Sequence, residues 1–69
     1  MSDPQNLAVA YNEMGNLLVQ KGELADALMY YLKSLKIRQE ENLDADIARS
    51  LINIGLTYKR MGSSQNALE

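Results

Sequence analysis

The chain of 69 residues is long enough for one small domain, and its 46% hydrophobic and 23% charged residues are typical of a protein that folds. Neither cysteine nor histidine occurs, which excludes disulfides, the usual zinc ligands, a thiolate nucleophile and an imidazole base. For the same reason we expect no metal, no cofactor and no enzyme activity. Because the net charge is −2, no positive field favours nucleic acid or an anionic membrane, and we expect neither partner.

The first predicted helix covers residues 4–21. Asp3 followed by Pro4 is a start signal, since aspartate caps a helix and the fixed φ of proline suits its first turn. The apolar residues recur at helical spacing: Leu7, Ala10, Tyr11, Met14 and Leu18. Gly22 then provides the left-handed residue that ends the helix, and a tight hairpin turn follows.

The second predicted helix extends to about Glu41. Its apolar residues, Leu24, Leu28, Tyr31 and Leu35, repeat at intervals of four, three and four. Glu23 places a negative charge at the positive end of this helix dipole. Ala27 and Ser34 are small enough to allow close approach of another helix.

The third predicted helix begins at Asp44, which follows the soft break at Asn42 and Leu43. Its apolar stripe is the most regular of the three and comprises Ile47, Leu51, Ile54, Tyr58 and Met61. After Gly62, Ser63 or Ser64 is predicted to cap a fourth helix, of which residues 67 and 68 form the first turn. No strand is predicted, so the fold class is all-α, in one domain covering residues 1–69.

An internal repeat relates the two halves of the chain. The glycines form two pairs, Gly15 with Gly22 and Gly55 with Gly62, each separated by 7 residues and offset by 40. The same offset superposes apolar positions: Leu7 on Ile47, Ala8 on Ala48, Met14 on Ile54, Ala27 on Ala67 and Leu28 on Leu68. Such a period is typical of helical-hairpin solenoids, and it predicts a first hairpin at 4–41 and a truncated second repeat at 44–69.

The residues of this repeat resemble the tetratricopeptide repeat pattern. The first unit carries it as Ala8, Tyr11, Gly15, Leu18, Gly22, Ala27 and Tyr31, and the second as Ala48, Leu51, Gly55, Tyr58, Gly62 and Ala67. The period of 40 exceeds the family's usual 34, with the extra residues at 38–43 between the second and third helices, which resembles a longer-period branch of the family. A glycine inside a helix costs about 1 kcal/mol relative to alanine, so Gly15 and Gly55 predict close approach of a bulky side chain such as Tyr31. The alternative is tolerance of glycine at an exposed site.

The family resemblance implies a protein-protein interaction scaffold that binds a partner peptide or helix on its concave face. The residues that it places there are Val9, Asn12, Asn16, Val19, Gln20, Arg49, Ile52, Asn53, Leu56, Lys59 and Arg60. One branch of the family holds a peptide carboxylate with asparagines and lysines, and Asn16 and Asn53 match two of its asparagines. Asn12 stands where that branch has a lysine, so this clamp is incomplete. The alternative for Asn16 and Asn53 is an amide that is solvated or bonded to neighbouring backbone, and the alternative for Arg49 and Arg60 is a solvent-facing charge.

An alternative function is self-association. Ile52 and Leu56 lie beside the stripe of the third helix and make that helix apolar over more than one face, which requires two covering surfaces. We therefore expect a homodimer or larger assembly at micromolar concentration, and the linker 38–43 could straighten to exchange helices between subunits.

Because no secretory signal or membrane-spanning run is visible and cysteine is absent, we expect a cytoplasmic location.

Overall fold

The computed structural model describes the backbone of residues 4–68 and the side chains of residues 4–62. Three helices follow one another: α1 (Pro4–Lys21), α2 (Leu24–Glu40) and α3 (Asp44–Leu68), and no strand occurs in this part of the chain. The all-α, helical-hairpin fold is therefore confirmed. The predicted cap residue Asp3 lies outside the described residues.

Both turns between helices use a residue in the left-handed region. Gly22 has φ of 81°, and the Glu23 N–H donates to the Leu18 carbonyl at 2.9 Å across the end of α1. At the end of α2 the left-handed residue is Asn42, with φ of 57°, and the Leu43 N–H donates to the Arg38 carbonyl at 3.0 Å. Asparagine is the residue that most often replaces glycine here, so the predicted soft break is a second helix-ending motif of the same type.

Helix α2 packs on α1 through small residues and one aromatic ring. Ala8, Ala27 and Ser34 are fully buried, and the Ser34 hydroxyl donates to the Ala8 carbonyl at 2.8 Å. A Cβ added to Gly15 would lie 2.6 Å from Cε1 of Tyr31, much closer than van der Waals contact. The predicted close approach at Gly15 is confirmed.

The opposite side of α2 packs on α3 through Ile54 and a set of buried polar groups. Arg38 is only 5% exposed, and its guanidinium donates to the Ser50 hydroxyl at 2.7 Å and to the Asp46 carbonyl at 3.2 Å. Residues 38–40 thus belong to α2, and the linker expected at 38–43 is reduced to residues 41–43. Arg38 is part of the helix interface because its long side chain reaches across to the first turns of α3.

Two expectations about the second repeat are wrong. No described atom lies within 4 Å of a Cβ built on Gly55, so Gly55 faces open space, unlike Gly15. The predicted turn at Gly62 is also absent, because α3 continues through it to Leu68 and no separate fourth helix begins at Ser63 or Ser64. At Gly22 the turn is stabilised by the packing of the 17-residue helix α2 against α1.

Candidate interaction surface

The residues predicted for the concave face lie on α1 and α3, which flank α2. Asn12, Val19 and Asn53 are half-buried, and the remaining ones are exposed, namely Val9, Asn16, Gln20, Arg49, Ile52, Leu56, Lys59 and Arg60. The side chain of Asn53 on α3 reaches that of Asn12 on α1, so the two helices adjoin on this side. The two helices therefore form the walls of one groove, and we call this groove the concave groove.

Two hydrogen bonds fix the asparagine side chains of this groove, and a third joins the Thr57 side chain to the backbone of Asn53. The Asn53 amide donates to Oδ1 of Asn12 at 3.0 Å, which joins α3 directly to α1. The Tyr31 hydroxyl donates to Oδ1 of Asn16 at 2.5 Å, and the buried Thr57 hydroxyl donates to the Asn53 carbonyl at 2.8 Å. The amide oxygens of Asn12 and Asn16 accept two of these bonds, which leaves their NH₂ groups as donors.

A cleft of about 130 Å³ opens in the concave groove beside these bonds, and six residues line it: Val19, Tyr31, Asn53, Leu56, Thr57 and Arg60. Four of them were predicted from the sequence, whereas seven other predicted residues do not line the cleft, namely Val9, Asn12, Asn16, Gln20, Arg49, Ile52 and Lys59. Tyr31 and Thr57 were not predicted. Tyr31 was assigned to the core, and the signal that could have found it is that a buried phenol needs a hydrogen-bond partner.

The electrostatics of the cleft are set by one cation. Burial raises the pKa of the Tyr31 phenol, and the positive charge of Arg60 acts in the opposite direction. Arg60 itself is exposed, and no carboxylate is among the residues that line the cleft. The cleft therefore combines an apolar wall, the Asn53 amide and a cation, which together suit a ligand with hydrogen-bond acceptors or a negative charge.

A second, larger groove of about 350 Å³ lies between α1 and α2, away from the cleft. Its lining residues are Met14, Leu18, Asp26, Met29, Tyr30 and Lys33. The Lys33 ammonium lies 5.5 Å from the ring centre of Tyr11 and 5.4 Å from that of Tyr30. Within these distances the rings attract the cation, so Lys33 is held by its own chain.

Among the described residues there is no group of three or more histidine, cysteine, aspartate or glutamate side chains suited to hold a metal. Within the same part of the chain, none of the helices combines the length and the apolar character needed to cross a membrane.

Comparison with known proteins gives a family and a set of relatives. The family model described as tetratricopeptide repeat matches residues 6–69. Outer dynein arm-docking complex subunit 4 from Mus musculus is 34% identical over 59 residues, which cover 86% of this chain and 10% of the relative. The proteins of the same name from Bos taurus and Homo sapiens are also 34% identical over 59 residues, covering 86% of this chain and 9% of each relative. The chain thus spans about a tenth of these relatives, and no solved structure gave a significant match.

Proposed function

The chain belongs to the tetratricopeptide repeat family, whose repeats generally mediate protein-protein interaction, and we propose that it binds a segment of a partner protein in the concave groove. The observation that carries this proposal is the cleft lined by Tyr31 and the Arg60 cation, which opens beside the hydrogen-bonded Asn12 and Asn16 of α1. Groups of this kind recognise a polypeptide by its backbone carbonyls and acidic side chains.

The chemistry of the cleft and of the two asparagines beside it defines the partner segment. The NH₂ groups of Asn12 and Asn16 are one helical turn apart on α1 and suit two carbonyl oxygens of an extended backbone. Arg60 suits an acidic side chain, and Val19 with Leu56 suits a neighbouring apolar one. We therefore propose an extended, acidic partner segment with at least one apolar residue.

The role in a larger assembly is also a proposal. The relatives are named as subunits of a docking complex, which favours a non-enzymatic scaffold role for this chain. We further propose a cytoplasmic location, no nucleic-acid or membrane partner, and membership of a longer-period branch of the family, since α1 and α3 begin 40 residues apart.

The test is a binding assay with extended peptides that differ only in charge, an acidic and a basic version of one apolar-containing sequence. We expect the acidic peptide to bind and to shift the side-chain amide NMR signals of Asn12 and Asn16. Arg60→Ala should weaken its binding about tenfold, because it removes the cation of the cleft. Arg49→Ala is the matched control, since Arg49 is exposed on the same helix but does not line the cleft.

Equal loss of binding for Arg49→Ala and Arg60→Ala would contradict a role for the cleft, because it would indicate a response to net charge alone. Equal binding of the acidic and basic peptides would contradict the proposed partner chemistry.

Self-association is a second candidate function, which a specific observation favours. Leu51 is 53% and Tyr58 55% exposed, although both belong to the most regular apolar stripe of the sequence. Exposed apolar residues grouped on one helix face are typical of interaction surfaces. We therefore propose that the chain also forms a homo-oligomer through α3.

A further inference from the structure

Helices α1 and α3 occupy equivalent positions in the repeat, yet each is covered on a different side. Ala8 and Gly15 of α1 are buried by α2, whereas their equivalents Ala48 and Gly55 on α3 are exposed. Helix α2 covers α3 from the other side, through Ser50, Ile54 and Thr57. One face of α3 is therefore open although the same face of α1 is packed.

We call this the open face of α3 and define it by the exposed residues Asp44, Ala48, Leu51, Ile52, Gly55, Tyr58 and Lys59. On a helix with 3.6 residues per turn, these positions fall along one side. Its middle is apolar and includes two small residues, and its ends carry opposite charges. Asp44 and Lys59 are fifteen residues apart, which corresponds to about 22 Å along the helix axis.

We propose that the open face binds the open face of a second copy, with the two α3 helices antiparallel and related by a two-fold axis between Leu51 and Ile52. This inference specifies the self-association proposed above. In this register, two residues that face each other across the interface have residue numbers that add up to 103. Ala48 faces Gly55 of the second copy, and Asp44 faces Lys59.

The steric pattern of the open face favours this pairing. Gly55 has no described atom within 4 Å of a built Cβ, so the face offers room for a closely approaching helix. Each Gly55 would receive the small side chain of Ala48 from the second copy, which brings the two backbones together. Leu51 and Ile52, 53% and 60% exposed, would pack on their counterparts around the two-fold axis. A two-fold pairing covers the same apolar residues in both copies and closes the assembly.

The charge pattern selects the direction of the pairing. An antiparallel arrangement brings Asp44 of each copy to Lys59 of the other, giving two ion pairs at the ends of the interface. A parallel arrangement would place Asp44 beside Asp44 and Lys59 beside Lys59. Like charges repel, so the face is complementary to itself in the antiparallel direction only.

The size of the open face sets the strength of the association. Residues 44–59 span about 24 Å of helix, and a helix is about 10 Å wide. The area buried by both copies therefore falls below the roughly 1,200 Å² at which standard stable interfaces begin. In place of the assembly expected from the sequence at micromolar concentration, we expect a dimer at hundreds of micromolar and a monomer at a few micromolar.

The first test measures molar mass by sedimentation at both concentrations for the intact chain and for Gly55→Leu. We expect the mass to double from 7.7 kDa at the higher concentration and to stay monomeric for Gly55→Leu, with at least a tenfold loss of affinity. The leucine fits in the monomer because the site is open, so circular dichroism should show the variant folded. Ala25→Leu on the exposed side of α2 is the matched control and should dimerise normally.

The second test uses the absence of cysteine from the chain. Single-cysteine variants Ala48→Cys and Gly55→Cys, mixed at high concentration and oxidised, should form the mixed disulfide in preference to either symmetric one. A symmetric disulfide at position 48 would indicate parallel helices and overturn the proposal. A monomeric intact chain at hundreds of micromolar would also overturn it.

Peptide binding in the cleft and self-pairing of α3 are contradicted by different results. Acidic-peptide binding depends on Arg60 and the cleft, and Gly55→Leu should leave it unchanged, since Gly55 is not among the cleft residues. Loss of dimerisation with retained peptide binding would overturn only the self-pairing of α3.

Discussion

Gly15 and Gly55 are equivalent in sequence and opposite in surroundings. The ring of Tyr31 covers Gly15, whereas Gly55 faces open space. The same substitution at the two positions therefore tests two different physical effects, a steric clash and helix propensity. A pair of this kind is informative because the residue type, the helix position and the repeat register are matched.

We predict that Gly15→Ala lowers the free energy of unfolding by about 1–3 kcal/mol, because the new methyl group overlaps the Tyr31 ring and the packed helices must shift. Gly55→Ala should instead raise it by about 0.5–1 kcal/mol, since alanine favours a helix and meets no neighbour. Urea unfolding of both variants at a few micromolar, where we expect a monomer, measures the difference. If both substitutions change the free energy of unfolding by the same amount in the same direction, contact with Tyr31 is not the reason for glycine at position 15.

Tyr31 links the core to the concave groove, and its phenol predicts a dependence of stability on pH. Burial raises the pKa of Tyr31 above the ordinary 10.0, so the unfolded chain loses this proton at a lower pH than the folded chain. The protonated Tyr31 phenol therefore makes its full contribution to the free energy of unfolding below pH 10. This contribution is lost as the pH rises through the raised pKa of the folded chain.

We therefore expect wild-type stability to fall more steeply above pH 10 than that of Tyr31→Phe, which has no proton to lose. At neutral pH, Tyr31→Phe should be less stable by about 1 kcal/mol, because the bond to Asn16 is lost. Urea unfolding between pH 8 and pH 11 measures both effects, with the exposed Tyr58→Phe as control. If the free energy of unfolding depends on pH in the same way for wild type and Tyr31→Phe, the pKa of Tyr31 is not raised in the folded chain.

At the scale of elements, Arg38 joins the end of α2 to the start of α3. Its guanidinium is buried and donates to a hydroxyl and a backbone carbonyl of α3. Hydrogen bonds from a charged donor contribute more than those between neutral groups. The α2–α3 junction thus depends on a polar contact in addition to the apolar contact of Ile54.

We predict that Arg38→Met, which keeps much of the side-chain length, lowers the free energy of unfolding by about 1.5–3 kcal/mol. Lys36→Met on the exposed side of the same helix should change it by less than about 0.5 kcal/mol. Thermal melts of the two variants give the comparison. An unchanged melting temperature for Arg38→Met would mean that packing alone holds the junction.

The helices could be predicted from the sequence because each carries an apolar period and recognisable end signals. The glycine at position 22 and the apolar stripe of α3 were sufficient for the fold class. The burial of Arg38, Ser50 and Thr57 could not be predicted, because polar residues are usually exposed and only tertiary contacts reveal their partners. The continuation of α3 through Gly62 was missed for a related reason, since a glycine ends a helix only where packing stabilises the turn that follows.

The candidate site was also predictable only in part. The family resemblance was enough to propose that Asn12, Asn16 and Asn53 share one face. The bond between Asn53 and Asn12 and the bond from Tyr31 to Asn16 were not predictable, because an amide can bond to solvent, backbone or another side chain at similar cost. Arg60 could be placed on that face, but only the structure distinguishes it from Arg49, which does not line the cleft.

At the scale of the whole molecule, the three helices differ in how much of their surface is covered. Helix α2 packs against α1 on one side and α3 on the other, whereas α1 and α3 each pack mainly against α2. The described chain is elongated, with extents of 47 × 20 × 12 Å, as expected of a solenoid in which each unit contacts only its neighbours. Stability should therefore decrease from the middle helix outward.

We predict that amide hydrogen exchange under native conditions is slowest in α2, around Ala27, Tyr31 and Ser34, and at least several-fold faster in the exposed turns of α1 and α3. The physical reason is that an outer helix can open by losing one interface, whereas α2 opens only when both are lost. Exchange should be followed residue by residue by NMR at a few micromolar and at hundreds of micromolar. Self-pairing of α3 would slow exchange in α3 at the higher concentration and leave α1 unchanged. Uniform protection of all three helices at low concentration would contradict the prediction, because it would mean that the chain opens only as a whole.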